Sequence, residues 1–118
     1  MKRLAVATLA VCSVVGGAAR ASEPGVAAKP SGEAVYTHWC APCHAAGPGH
    51  PGTDSLQLKY GGKMPAVLIE RTDLTPQVVS TFVRQGVLLM APFRKTEITD
   101  AELAALAAFV AGNYRKGG

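Results

Sequence analysis

Two cysteines stand three positions apart in the stretch Cys40-Ala41-Pro42-Cys43-His44, and a histidine follows the second one directly. A helical turn puts both thiols on one edge of a porphyrin, where each can add across one vinyl group of a haem. The imidazole of His44 then lies beneath the iron as its proximal ligand. The stretch therefore predicts one haem c, attached covalently through Cys40 and Cys43.

Two other kinds of site can use a pair of cysteines at this spacing. A redox dithiol requires a thioredoxin-like strand before the motif and leaves the histidine without a role. A structural zinc site requires four ligands, usually as two pairs. The spare histidines, His38 and His50, do not form a second pair at zinc-finger spacing, and Cys12 lies in the N-terminal apolar run. Both alternatives rank below haem attachment.

The N-terminus has the features of a secretory signal peptide. Lys2 and Arg3 precede an apolar run, and Ala19-Arg20-Ala21 matches an A-x-A cleavage site. The run is too short and too rich in small residues to be a good membrane span. Haem c is attached after export in bacteria, so we expect a periplasmic protein with no membrane span after cleavage.

Cleavage at this site predicts three segments: a signal peptide over 1–21, a flexible N-terminal segment over 22–31 and a haem-binding domain over 32–116. The mature chain of 97 residues has nine basic and eight acidic residues, whereas the full chain carries a net charge of +4. A net charge of +1 gives no electrostatic footprint for nucleic acid. A domain this small has few large apolar side chains, so we expect an apoprotein that is largely unfolded.

Helix signals predict an all-α fold. Ser31 is a suitable N-cap for a helix from about Gly32 to Cys40. Thr75 caps a second helix, in which Pro76 is the first residue and which Gly86 ends. No alternating pattern indicates a strand, and no repeat occurs.

The last helix has the clearest signals. Thr99-Asp100-Ala101-Glu102 is a capping box, and Leu103, Leu106 and Val110 recur at helical spacing as far as about Gly112. Residues 45–63 are rich in glycine and proline and predict an extended loop. We expect this loop to wrap one haem edge and to offer a backbone carbonyl to the second nitrogen of His44. Residues 65–71 predict a short helix or an irregular apolar segment.

An electron-transfer haem needs a second axial ligand, for which the candidates are His38, His50, Met64 and Met90. His38 lies on the proximal side just before the motif, and His50 follows His44 too closely to cross the ring, so it is expected to face solvent or a haem propionate. Met90 follows His44 by 46 residues, and Met64 by 20. The longer interval holds a loop and a helix that can carry the chain to the distal face. Met90 is therefore the predicted ligand, and Met64 is expected to fill the core.

Over the mature chain these features resemble a small bacterial class I cytochrome c. The resemblance rests on Cys40-Ala-Pro-Cys-His44, the helix ended by Gly86, Met90 with Pro92 behind it, and the closing amphipathic helix. It implies three to five short helices wrapped around one haem c, with first and last helices crossing where Gly32 and Tyr36 face Leu106 and Phe109. Ala91 departs from the family, in which proline often follows the methionine directly.

More narrowly, residues 65–76 and 93–103 resemble cytochrome subunits of flavin-dependent phenol oxidoreductases, such as 4-cresol dehydrogenase and eugenol hydroxylase. This resemblance implies an FAD-containing dehydrogenase or hydroxylase subunit as electron donor. It also implies a downstream acceptor, such as a cytochrome, a copper protein or an oxidase. The chain itself would be an electron-transfer subunit and not an enzyme.

Two alternatives stay open: a free-standing carrier to a terminal oxidase or reductase, and a sensor with five-coordinate iron. An electron carrier needs an uncharged docking surface near the haem edge, and the candidates for it are Ala41, Pro42, Leu88, Leu89 and Ala91.

Overall fold

The structure, a computed structural model, describes residues 28–112. The predicted signal peptide, most of the 22–31 segment and residues 113–116 lie outside the described residues. Within these residues, five α-helices and one 3-10 helix follow one another: α1 Gly32–Trp39, α2 Ala41–His44, α3 Pro51–Tyr60, the 3-10 helix Leu68–Glu70, α4 Pro76–Gln85 and α5 Asp100–Val110. Within residues 28–112 the only extended pairing is an isolated bridge between Val87 and Met90. The predicted all-α fold is confirmed.

Three helices begin where their capping residues predict. The Ser31 hydroxyl accepts a hydrogen bond from the Ala34 amide at the start of α1. Thr75 caps α4 through the amide of Val78. Both halves of the Thr99 capping box are formed at the start of α5. Each cap satisfies an amide that the first helical turn leaves without an internal partner, so local sequence is sufficient to place these helix starts.

The predicted extended loop over residues 45–63 is wrong in its central part, which forms α3. Pro51 is the first helical residue, where its fixed φ favours a helix and its missing N–H costs nothing. Gly61 ends the helix in the left-handed conformation, with φ 54°. Between them the sequence is mostly polar and only Thr53 is buried. Apolar periodicity therefore could not indicate this helix.

The core lies where α1 crosses α5 and α4 packs beside them. A Cβ built on Gly32 would lie 2.7 Å from Phe109 Cβ and would also strike the backbone carbonyl group of Ala105. The rings of Tyr36 and Phe109 meet at 5.6 Å. The predicted close crossing of first and last helices is confirmed, and it depends on the missing side chain at position 32.

Ile98, Leu106 and Val110 are the largest side chains that the described core encloses completely. Among residues 28–112, no helix is both long and apolar enough to cross a membrane.

Candidate functional site

The two motif cysteines sit on one turn at the junction of two helices. Cys40 closes α1 and precedes α2, and its carbonyl accepts hydrogen bonds from the amides of Cys43 at 3.1 Å and His44 at 2.9 Å. Cys40 is buried in the core, whereas Cys43 is exposed. The turn therefore presents one sulfur at the inner side and one at the outer side of a short helical edge.

The ionisation of the buried Cys40 thiol gives no support to a redox dithiol. Burial, together with a smaller contribution from the neighbouring Cys43, raises the pKa of Cys40 to about 11. Reactive dithiols need a thiolate stabilised near neutral pH. Across the described range 28–112, no group of three or more His, Cys, Asp or Glu side chains is placed to hold a metal ion.

The His44 imidazole is packed tightly by the start of α3. A Cβ on Gly52 would lie 2.6 Å from His44 Cε1, 2.8 Å from its Nδ1 and 2.7 Å from the Cys43 carbonyl oxygen. Only glycine fits between the ring and that rigid backbone atom. Burial lowers the pKa of His44, so the neutral imidazole, the form that binds a metal, is favoured.

The predicted carbonyl acceptor for His44 is absent from the described residues. His44 Nδ1 is buried and has no hydrogen-bond partner there. The physical reason is that the 45–63 segment turns into α3 and presents the bare Cα of Gly52, not a backbone carbonyl, to the ring. The ring is therefore oriented by steric packing on this side.

Three side chains to which the sequence analysis gave no such role hold the backbone around the motif. Tyr36 donates its hydroxyl to the His44 carbonyl at 3.0 Å, and Thr53 donates to the Ala45 carbonyl at 2.9 Å. His50 Nδ1 lies 3.0 Å from the Pro42 carbonyl, to which it donates. His50 was expected to face solvent or a propionate and instead ties the start of α3 to α2. In the sequence, Pro51 could have indicated a helix start, which would have placed His50 at the N-cap and Thr53 in the first turn.

Residues 86–93, here called the methionine strap, carry Met90 back towards the core. Gly86 has φ 71°, and a Cβ there would lie 2.6 Å from the Met90 carbonyl oxygen. Val87 and Met90 exchange two backbone hydrogen bonds, of 3.0 and 2.9 Å, which close a two-residue turn. The half-buried Met90 packs against the core cluster that contains Cys40. The strap therefore brings the predicted distal residue to the same core as the motif.

The other candidate ligands lie elsewhere. His38 is exposed, with its ring edge against Trp39 at 4.7 Å. Met64 is half-buried in the segment between α3 and the 3-10 helix. His50 uses Nδ1 on the Pro42 carbonyl.

Several apolar side chains near these elements have no cover from the polypeptide. On α4, Val79 and Val83 are buried, while the adjacent Val78 and Phe82 are 36% and 41% exposed. Leu58 on α3 and Val87 on the strap are also exposed. Uncovered apolar faces, two thiols on one turn and a neutral, tightly packed imidazole are what a thioether-linked porphyrin requires. The residues present fit haem c.

The docking candidates separate into two groups. Pro42, Leu88, Leu89 and Ala91 are exposed, and Leu88 and Leu89 are 93% and 98% exposed at the tip of the strap's turn. Ala41 is half-buried and packs against the core cluster. Packing on the core therefore explains why an apolar residue stands at position 41. It does not explain the apolar residues Leu88 and Leu89 at the strap tip, which contact little of the polypeptide.

Comparison with known protein families gives a match over most of the chain. The family model described as cytochrome c oxidase, cbb3-type, subunit III matches residues 27–110. No curated protein and no solved structure matches the chain significantly. The matched range covers most of the chain and includes the motif turn, all five α-helices and the methionine strap.

Proposed function

Because the chain belongs to the family described as cytochrome c oxidase, cbb3-type, subunit III, a class I cytochrome c domain, we propose which of its residues carry the haem and which proteins it serves. A cytochrome c domain binds haem c covalently and transfers electrons, and it is not an enzyme by itself. In this chain Cys40 and Cys43 form the thioether bonds, His44 is the proximal ligand and Met90 is the distal ligand. The observation that carries the proposal is the single turn joining both thiols to a neutral imidazole held by Gly52.

The chain's own residues perform three tasks in this mechanism. Cys40 and Cys43 attach the haem edge to the end of α1, and Gly52 with Tyr36 keep the His44 imidazole in a fixed position. The strap presses Met90 against the core, and the neighbouring apolar side chains exclude water. The bound haem supplies a one-electron iron couple, whose potential a methionine ligand raises relative to a second imidazole. With His44 and Met90 both holding the haem iron, oxygen or substrate would have no position to bind, and this arrangement would disfavour the five-coordinate sensor.

The distal ligand is tested by two matched substitutions. Met90→Ala should abolish the weak long-wavelength sulfur-to-iron absorption of the oxidised protein, because the thioether that produces it is gone. Met64→Ala removes the same side chain at a half-buried site and should leave that absorption unchanged. The reverse pattern would assign the distal position to Met64.

Covalent attachment is tested by extraction. Acid–acetone should leave the pigment on the wild-type protein, since thioether bonds survive this treatment. A Cys40→Ala/Cys43→Ala variant should release any pigment it holds. Release from the wild type would overturn the assignment of both cysteines.

The proposed compartment is the periplasm, on the basis of the predicted signal peptide over 1–21 and of haem c attachment after export. N-terminal sequencing of the protein purified from a periplasmic fraction tests it, and Ser22 is the expected first residue. An intact N-terminus on coloured protein from the cytoplasm would contradict this localisation.

The proposed electron donor is an FAD-containing subunit of a phenol-oxidising flavoprotein, supported by the resemblance of residues 65–76 and 93–103. The exposed apolar tip of the strap, Leu88 and Leu89, is a suitable surface for a small and transient redox contact. A free-standing carrier that serves a terminal oxidase is the second candidate, and the description of the matched family, which names an oxidase subunit, supports an oxidase as the electron acceptor.

Affinity purification of the tagged protein from its native host separates these two partners. Co-purification of flavin, with electron uptake during phenol oxidation, would support the flavoprotein partner. Monomeric cytochrome without flavin that reduces an oxidase would support the free-standing carrier. Leu88→Asn/Leu89→Asn should slow transfer to either partner if the strap tip is the docking surface.

A further inference from the structure

The methionine strap is anchored at its C-terminal end by the backbone amide and the backbone carbonyl of Phe93. The Phe93 amide donates to the Val83 carbonyl of α4 at 2.8 Å. The Phe93 carbonyl accepts a hydrogen bond of 3.1 Å from Nη1 of Arg84, also on α4. Phe93 follows Met90 by three residues, so its position limits where the methionine can lie.

The guanidinium of Arg84 is itself held by a second contact. Its Nη2 donates to Asp100 Oδ1 at 2.9 Å, at the first residue of α5. The side chain of Arg84 is 22% exposed and that of Asp100 is 65% exposed, so the guanidinium is partly shielded from solvent while the carboxylate is open to it. A planar guanidinium can bind a carbonyl and a carboxylate at the same time, which an ammonium cannot do with fixed geometry. Arg84 therefore links α4, the strap and the start of α5 through one rigid group.

A neighbouring lysine shares the carboxylate but not the strap carbonyl. Lys95 Nζ lies 2.7 Å from Asp100 Oδ2, and its side chain is 73% exposed. Lys95 and Arg84 thus place equal charges on the same aspartate. Only Arg84 bonds to the backbone that follows Met90. This difference gives a matched control for charge.

We infer that Arg84 is a positioning residue for the methionine ligand, acting through the Phe93 carbonyl and kept in place by Asp100. This inference rests on the proposed distal role of Met90. Without the guanidinium, the end of the strap keeps only its amide bond to Val83 and the packing of the Phe93 ring on Trp39. The strap can then move away from the core more easily, and the thioether is released more often while the rest of the fold persists.

The experiment measures thioether release on the oxidised holoprotein. Added imidazole competes with the methionine for the iron, so its apparent affinity reports the population of released methionine. Arg84→Ala should raise that affinity about tenfold, the effect expected from losing one charge-assisted hydrogen bond. Lys95→Ala removes one positive charge from the same carboxylate and should leave the affinity within about twofold of the wild type. Arg84→Lys, which keeps the charge but loses the two-ended contact, should fall between them.

A second measurement separates positioning from general stability. The long-wavelength sulfur-to-iron absorption and the far-ultraviolet circular dichroism are followed during heating. In Arg84→Ala the absorption should be lost well before the helices melt, whereas in the wild type the two transitions should lie closer together. Coincident transitions in Arg84→Ala, or an equal change of imidazole affinity in Lys95→Ala, would overturn the inference. If Met90→Ala retained the absorption, the ligand assignment itself would fail, and the positioning role would fall with it.

Discussion

The half of the molecule formed by α1, α4 and α5 differs from the half formed by α3 and the methionine strap. In the first half, Leu106 and Val110 are completely buried where the helices pack together, although Val78 and Phe82 of α4 stay partly exposed. In the second half, Leu58 is 86% exposed and Leu88 93% exposed, and α3 buries only Thr53. The polypeptide therefore completes one half of its core and leaves the other half without a partner. Haem c, which the family carries, is the apolar body that α3 and the strap require.

Loss of haem should have the largest effect, and it should affect the two halves differently. In a Cys40→Ala/Cys43→Ala variant without haem, α3 and the strap should lose hydrogen-exchange protection completely, because their apolar faces have nothing to pack on. Any residual protection should lie at the crossing of α1 and α5. Most of the stability of about 5–15 kcal/mol that an ordinary domain has should be lost. A cooperative melt and a native-like far-ultraviolet spectrum without haem would contradict this prediction.

Gly32→Ala should produce the largest effect of a single substitution in the haem-independent half. The added Cβ would meet the carbonyl carbon of Ala105 and the Cβ of Phe109, both at 2.7 Å, so the helices must separate. Overpacking of this kind costs about 1–3 kcal/mol, and a rigid backbone contact puts the expected loss near 3 kcal/mol. Urea unfolding of the oxidised holoprotein measures it. Gly112→Ala, which meets nothing within 4 Å, is the control and should change the free energy of unfolding little.

Asp73→Ala should destabilise the other half by about 2 kcal/mol, because it removes the main partner of a buried guanidinium. Arg71 donates to Asp73 from Nε at 2.8 Å and from Nη2 at 2.5 Å, and to the Tyr60 hydroxyl at 2.8 Å. These bonds anchor the end of α3. Urea unfolding at pH 7 is the measurement, and Glu70→Ala, which removes an exposed carboxylate nearby, is the control.

The same pair predicts a pH dependence with a definite sign. Hydrogen bonds from Arg71 lower the pKa of the Asp73 carboxyl below its ordinary value. A carboxyl with a lowered pKa in the folded state contributes stability above its ordinary pKa of about 4, and this contribution is lost as the pH falls through the lower folded value. The difference in unfolding free energy between wild type and Asp73→Ala should therefore shrink in acid. A difference that stayed constant down to pH 2 would exclude this linkage.

Leu88→Asn should have the smallest effect, and it should be a gain. Leu88 has φ 52°, a conformation that costs a residue with a large side chain about 1 kcal/mol and that asparagine tolerates well. Its side chain is 93% exposed, so little packing is lost. We expect the unfolding free energy to rise by up to about 1 kcal/mol. Leu89→Asn is the control, since it makes the same change in polarity at an equally exposed site without positive φ, and it should not raise the unfolding free energy. Equal effects of the two substitutions would show that backbone strain at Leu88 is not the cause.

Local sequence predicts the attachment chemistry, and it determined most helix starts. The Cys40-x-x-Cys43-His44 spacing indicates haem c without any knowledge of packing, since the chemistry depends on one helical turn. Ser31, Thr75 and Thr99 predicted three helix starts because a cap satisfies amides only a few residues away. The all-α fold follows from these local signals.

Tertiary structure alone decided how the motif is held. α3 has little apolar periodicity, and Gly52 is needed there because of the His44 ring, which precedes it by eight residues and belongs to another helix. The bonds from Tyr36 to His44 and from Arg84 to the strap likewise join separate elements. No local pattern specifies such contacts, because each depends on how two helices approach one another, and that approach is set by packing around the shared core.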